Sequence, residues 1–243
     1  MVRQLVLVRH GESAGNAAAA AARLAGAETL DIPQRDPDVP LTPVGLEQAT
    51  ALGHGLAQLQ PDDATTAVWS SPYLRALQTA QLAVGAAGWR LPVFVDERLR
   101  DRELGVLDLL TREGVARRFP LEAKRRQWWG KFYHRPPGGE SWADVALRLR
   151  AFLAELPAAT RADRVVLFGH DAVVMLVRYI LEPLDEHAVL QIGAVDPVRN
   201  ASLTILENDQ GAGWRLSSYN DVRHLVHGGA PVTQHGGEPD VAH

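Results

Sequence analysis

The sequence predicts an α/β fold, a three-layer sandwich with a mostly parallel central sheet flanked by helices. Three observations predict it. Short continuous apolar runs, the pattern of strands buried on both faces, recur at Leu5-Val6-Leu7-Val8, at Ala67-Val68-Trp69 and over residues 165–168. Stretches of helical periodicity alternate with these runs, which is the βα order of a parallel sheet. Hydroxyl-proline pairs at Thr42-Pro43 and Ser71-Pro72 mark helix starts behind two of the turns.

Taken in chain order, the first run is a buried strand. Residues 17–22 after it read as a helical turn or a flap. Thr42 caps a helix whose Ala49, Leu52, Leu56 and Leu59 fall at helical spacing. The second run is followed by Ser71-Pro72 and a helix with a buried stripe at Leu74, Leu77, Ala80 and Val84. Residues 92–95 read as a short strand. Ser141 and Asp144 form a capping box for a helix burying Val145, Leu149, Phe152, Leu153 and Leu156. Residues 165–168 make the clearest remaining strand, and 171–181 a helix that is apolar almost all round. Residues 201–206 and 214–218 read as a late antiparallel pair.

Residues 106–139 interrupt the alternation and read as a helical insertion near the functional edge. From about residue 227 the chain is Gly, Pro, His and polar, so residues 1–226 are expected to form one domain and 227–243 a disordered tail.

Composition narrows the function classes. The chain has 243 residues, 46% hydrophobic and 22% charged, with a formal net charge of −4, as in a globular protein without a general affinity for nucleic acid or anionic membranes. It contains no cysteine, which excludes disulfides, thiolate catalysis and cysteine-ligated metals. No run reaches the roughly 18 apolar residues of a membrane helix. The leading apolar run is too short for a signal peptide. A cytoplasmic location is the expectation.

Functional groups of α/β sheets collect where strands end. Two predicted strands end in histidine, at Val8-Arg9-His10-Gly11-Glu12-Ser13 and at Phe168-Gly169-His170. A third ends in Ser70-Ser71-Pro72, and the helix after it carries Arg75 in its first turn. If these strands are neighbours, two guanidiniums and two imidazoles meet at one edge. That set suits a tetrahedral dianion, because the guanidinium fork pairs with phosphate oxygens. A helix start at Ser71 would add a favourable dipole. A neutral imidazole can attack phosphorus and form a phosphohistidine.

At these residues the chain resembles the histidine phosphatase superfamily, the phosphoglycerate mutase-like family. Leu7-Val8-Arg9-His10-Gly11-Glu12-Ser13 with Asn16 is that family's signature. Leu41-Thr42, Gly45 and Gln48-Ala49 resemble its next block. Ser70-Ser71-Pro72, Arg75 and Gln78-Thr79-Ala80 resemble the third, and Gly169-His170 the last. The resemblance runs in order over residues 3–182, and four ordered blocks make it specific.

The resemblance implies that His10 is the nucleophile, that Arg9, Arg75, His170 and Asn16 hold phosphoryl oxygens, and that neither metal nor organic cofactor is needed. It also implies a general acid, usually Glu, four residues ahead of a glycine. Here the glycine is Gly105 and the position is Asp101. Glu103 is the second candidate, since in an extended stretch residues 101 and 103 share a face.

Other features have plainer explanations. The basic and aromatic stretch of Arg112, Arg117, Arg118, Lys124, Arg125, Arg126 and Lys131 with Trp128, Trp129, Phe132 and Tyr133 reads as a helical hairpin with a solvated face and an aromatic core side, ahead of a substrate-reading lid. His224 and His227 read as tail composition, not ligands.

The expected activity is that of a metal-independent phosphatase acting on a small phosphorylated substrate. The alternatives are phosphoglycerate mutase-type transfer and a non-catalytic phospholigand-binding protein. An edge strand over 201–206 would offer a homodimer contact.

Overall fold

The computed structural model describes residues 2–59, 65–209 and 213–235. Among them six strands, β1 (Gln4–Arg9), β2 (Thr66–Ser70), β3 (Val93–Val95), β4 (Arg164–Gly169), β5 (Leu203–Asp209) and β6 (Gly213–Asp221), form one sheet ordered β3-β2-β4-β1-β5-β6. The first four sheet positions are mutually parallel, whereas β5 runs antiparallel to β1 and β6 antiparallel to β5.

Period-two alternation along the central strands feeds two separate cores, because successive side chains leave opposite faces of a strand. Leu5, Leu7, Val165 and Leu167 pack with Leu149 and Phe152 of α6 (Trp142–Ala159) and with Val173 and Leu176 of α7 (Asp171–Leu181). Val6, Val8, Val166 and Phe168 pack on the other face. Their partners there are Leu52 and Leu56 of α2 (Pro43–Ala57), Ala80 and Ala83 of α3 (Leu74–Ala86) and Leu225 of the short helix Arg223–His227. The result is the three-layer sandwich expected from the continuous apolar runs.

Local chemistry sets the helix starts. Thr42 Oγ1 accepts from the Gly45 N–H at 3.1 Å. Ser141 and Asp144 form both halves of their capping box. Ser13 and Asn16 form another, so the stretch read as a turn or flap is a full helix, α1 (Ala14–Ala25). Two glycines allow the loop after β1 to lie on the start of α2. A Cβ on Gly11 would stand 2.6 Å from the Gly45 carbonyl oxygen, and one on Gly45 would stand 2.0 Å from that of Glu12. The 106–139 region contains α4 (Arg112–Arg118) and α5 (Pro120–Tyr133), the latter broken at Gly130 with φ 72°. After α7 comes α8 (Glu186–Val195), and the short helix Arg223–His227 is α9.

Several expectations are corrected. The helix after Ser71 begins only at Leu74, and Tyr73 in the capping position makes no side-chain cap. The Ser71 hydroxyl is spent elsewhere, accepting from the Tyr73 N–H and meeting His170. The strand expected to be an edge, β5, lies between β1 and β6, so its backbone is already paired on both sides and offers no dimer contact. In the basic stretch Phe132 is buried, but Trp128 and Trp129 are 85% and 61% exposed and form no core side.

The tail expected to be disordered is placed as far as residue 235. It is held by polar partners on the body rather than by apolar burial. Gln48 Nε2 donates to Pro231 O at 2.8 Å, and the Thr233 hydroxyl donates to Asn200 Oδ1 at 3.1 Å. Residues 236–243 of that expectation lie outside the described residues. Among the described residues no helix is long and apolar enough to cross a membrane.

Candidate active site

The carboxyl ends of β2, β4 and β1 are adjacent, with Ser70 level with Phe168 and Arg9 level with Gly169. The next residues continue this registry. The His10 N–H donates to Gly169 O and the Ser71 N–H to Phe168 O, both at 2.9 Å. Sheet register alone therefore brings His10, His170 and Ser71 together. Arg75, at the second position of α3, points to the same edge.

His10 is 3% exposed. Its Nδ1 lies 2.7 Å from Gly11 O, an atom that can only accept, so Nδ1 carries the proton and Nε2 keeps its lone pair. Burial, followed by the charges of Arg75, His170 and Arg9, holds the imidazole well below the usual histidine range. The ring is thus neutral and nucleophilic at neutral pH.

The loop around it is fastened from several sides. The Gly11 N–H donates to Thr79 Oγ1 at 3.0 Å, and the Glu12 N–H to Gln48 Oε1 at 2.8 Å. Asn200 Nδ2 donates to His10 O at 3.1 Å and to Asn16 Oδ1 at 3.1 Å.

His170 is fully buried, with its ring T-shaped to that of His10 at 5.2 Å between centroids. Its Nε2 lies 2.8 Å from Ser71 Oγ. Its Nδ1 lies 3.2 Å from Asp101 Oδ2, an ion-pair distance without the alignment of a hydrogen bond.

Arg75 is buried and reaches two carboxylates. Its Nη1 donates to Asp36 O at 2.7 Å and Asp36 Oδ1 at 2.9 Å. Its Nη2 donates to Asp36 Oδ2 at 3.3 Å and Asp101 Oδ2 at 3.0 Å. Arg9 donates through Nη1 to Val198 O and through Nη2 to His235 O at 2.9 Å. Its Nε is buried with no hydrogen-bond partner among the described residues. Asn16 Oδ1 is occupied by Asn200 and by the Ser13 N–H, which leaves its Nδ2 as the donor side of the amide.

The two acid candidates separate. Asp101 is within reach of both His170 and Arg75. Burial pushes its carboxyl up, but the charges of His170 and Arg75 and the Arg102 N–H outweigh burial and hold it well below the usual carboxylate range. Glu103 turns away and accepts from the Tyr73 hydroxyl at 2.6 Å, with its side chain 43% exposed. Gly105 shapes this segment. Its φ of 55° and a virtual Cβ only 2.2 Å from Pro137 O admit no side chain.

Several site residues were not singled out as such in the sequence. Gln48 and Thr79 stand in the quoted blocks, and their spacing was the available signal. Asp36, Asn200, Tyr73 and the 231–235 segment have no local signal, since each meets the site only through the fold. Three of the insertion's basic residues are held in ion pairs. Arg117 and Arg118 pair with Glu28, and Arg125 with Glu122.

Comparison with known proteins places the chain in a family. The family model of the histidine phosphatase superfamily, branch 1, matches residues 5–222. A 2,3-bisphosphoglycerate-dependent phosphoglycerate mutase of Methylobacterium radiotolerans is 31% identical over 226 residues, covering 88% of this chain and 100% of its own. A protein of Yersinia enterocolitica described as a probable phosphoglycerate mutase is 31% identical over 234 residues, covering 91% and 94%. Among solved structures, a mycobacterial glucosyl-3-phosphoglycerate phosphatase in complex with inorganic phosphate superposes with a TM-score of 0.69. It is 29% identical and covers 92% of this chain and 99% of its own.

Proposed function

The chain belongs to the histidine phosphatase superfamily, and from that premise we propose that it is a phosphomonoesterase working through a phosphohistidine on His10. The observation that carries the proposal is the state of His10. It is a buried neutral imidazole with Nδ1–H held on Gly11 O and Nε2 free, set among Arg75, His170 and Arg9.

In the first step the Nε2 lone pair forms a bond to phosphorus as the ester P–O bond breaks. Asp101 passes a proton to the departing alkoxide. Arg9, Arg75, His170 and Asn16 Nδ2 hold the three phosphoryl oxygens, where positioning and charge neutralisation supply most of the catalysis. In the second step Asp101, now a carboxylate, takes a proton from water. The water oxygen bonds to phosphorus, the N–P bond breaks, and His10 regains its lone pair. Among the protein's own groups Asp101 is ionised. A phosphoryl dianion placed beside it adds negative charge and raises its pKa, which lets it carry the proton.

Phosphoglycerate mutase-type transfer is the second reading, favoured by the names of the relatives in Methylobacterium and Yersinia. The charges around the site weigh against it. Asp36 lies on Arg75, Glu103 lies on Tyr73, and Asp108 has its carboxyl pushed up by burial and by the fields of Asp36 and Glu103. A second anionic group on the substrate, such as a glycerate carboxylate, meets this set unfavourably.

Product analysis separates the two. Incubation with 3-phosphoglycerate and catalytic 2,3-bisphosphoglycerate is expected to build up no 2-phosphoglycerate, whereas an uncharged alkyl phosphate is expected to release inorganic phosphate. Isomerisation without net phosphate release would make the chain a mutase.

A further inference from the structure

The Arg75 guanidinium is central to the proposed phosphate site, yet one carboxylate already holds it in the manner of a bound oxyanion. Asp36 places Oδ1 2.9 Å from Nη1 and Oδ2 3.3 Å from Nη2, and adds its backbone oxygen at 2.7 Å from Nη1. This two-point carboxylate geometry is the same fork that phosphate oxygens use. Arg75 is 4% exposed, so a phosphoryl group and Asp36 compete for one buried fork.

The chain on either side of Asp36 is built for a hinge. Upstream it is fastened by the Leu30 N–H on Leu109 O at 2.9 Å and by the bridge between Thr29 and Leu110. Downstream it is fastened by buried Val39 and by the Leu41 N–H on Gln78 Oε1 at 2.9 Å. Between these anchors residues 31–34 make no hydrogen bond among the described residues, and Asp31, Pro33, Gln34 and Arg35 are exposed. The side chain of Asp36 is 34% exposed and, with its backbone oxygen, ties this segment to Arg75.

We propose that Asp36 is an internal competitor of the phosphoryl group: it latches residues 31–36 over the site through Arg75 and is displaced when phosphate oxygens take the guanidinium. This rests on the proposed phosphate site at Arg75. Asp101 stays on Nη2 as the proton carrier, while Asp36 gives way and sets the affinity for substrate and the release of product. Product leaves more readily because a tethered carboxylate stands ready to retake the arginine.

The test is titration of inorganic phosphate into wild type, Asp36→Asn and Asp108→Asn by calorimetry, with hydrogen exchange of the Asp38 and Val39 amides, which donate to Arg35 O and Asp36 O, measured with and without phosphate. Asp36→Asn is expected to tighten phosphate about tenfold, the scale of one charge-assisted contact. It is also expected to lower KM and to speed exchange of the Asp38 and Val39 amides even without phosphate. Wild type is expected to reach that fast exchange only with phosphate bound. Asp108→Asn, which removes a neighbouring charge without touching Arg75, is expected to change affinity less than about threefold by field alone.

Phosphate affinity in Asp36→Asn equal to or weaker than wild type overturns the latch and leaves the phosphate site standing. Equal tightening in both variants, or exchange at Asp38 and Val39 indifferent to phosphate, reduces Asp36 to a through-space charge and also overturns it. No phosphate binding in either wild type or Asp36→Asn overturns the phosphate site itself, and the latch with it.

Discussion

His10 and His170 stand edge to face, 5.2 Å between ring centroids, at the ends of two neighbouring parallel strands whose register is fixed by the pair Arg9 and Gly169. One ring has its outer nitrogen free, and the other has Nε2 on Ser71 Oγ and Nδ1 facing Asp101. The positions of the proposed nucleophile and the proposed oxyanion holder are thus set by strand pairing, and the two imidazoles differ in their hydrogen-bond partners.

The depressed pKa of His10 has a stability consequence. The folded ring stays neutral where the unfolded ring, with a pKa of about 6.5, takes up a proton. Its contribution is therefore present above about pH 6.5 and is lost as pH falls toward the folded-state value. Urea midpoints at pH 7.5 and 5.5 are expected to drop less for His10→Asn than for wild type. Identical drops would mean that His10 is solvated like an ordinary histidine.

Asp101 lies within reach of Arg75 and His170, whereas Glu103 lies on the Tyr73 hydroxyl. Asp101→Asn is expected to slow hydrolysis of an alkyl phosphate by about 100-fold or more, and of p-nitrophenyl phosphate far less, because nitrophenolate leaves without a proton. Glu103→Gln is expected to stay within about threefold of wild type on both substrates, on the same leaving-group argument. A reversed ranking would move the acid to Glu103.

The 231–235 segment closes the back of Arg9, with His235 O on Nη2 and His235 Nε2 2.9 Å from Glu12 Oε2. Deleting residues 231–243 leaves Arg9, Gln48 and Asn200 short of partners. It is expected to cost about 1–3 kcal/mol of stability and to weaken phosphate binding. Denaturation and phosphate titration of the shortened chain check both. A neutral deletion would show that the segment only rests on the body.

Gly45→Ala tests the packing of the loop on α2. The added Cβ would meet Glu12 O at 2.0 Å, backbone against backbone, so relief requires the His10 loop to move. Loss of about 3 kcal/mol or more is expected, together with reduced turnover. Wild-type stability would contradict the close approach.

The sequence made the strand ends legible because strands buried on both faces are continuous apolar runs, and Arg9, His10 and His170 follow two of them directly. It made the caps at Thr42 and Ser141 legible because those contacts span three residues. Ser71 misled for a long-range reason: its hydroxyl is used by His170, ninety-nine positions away. Asp36 and Asn200 reach the site only once the sheet has assembled, so no local pattern marked them. The tail composition suggested disorder, but Gln48 and Asn200 supply the hydrogen bonds that its apolar content could not replace.

The central claim is covalent transfer to His10. The most direct measurement is acid-labile, base-stable phosphoryl incorporation after rapid mixing with labelled substrate in a metal chelator, comparing wild type with His10→Ala. The account predicts a phosphohistidine on wild type that forms and decays at rates consistent with turnover, and no label and no turnover in His10→Ala. Turnover that persists in His10→Ala, or turnover in wild type with no trapped phosphohistidine under conditions where it should accumulate, would contradict it.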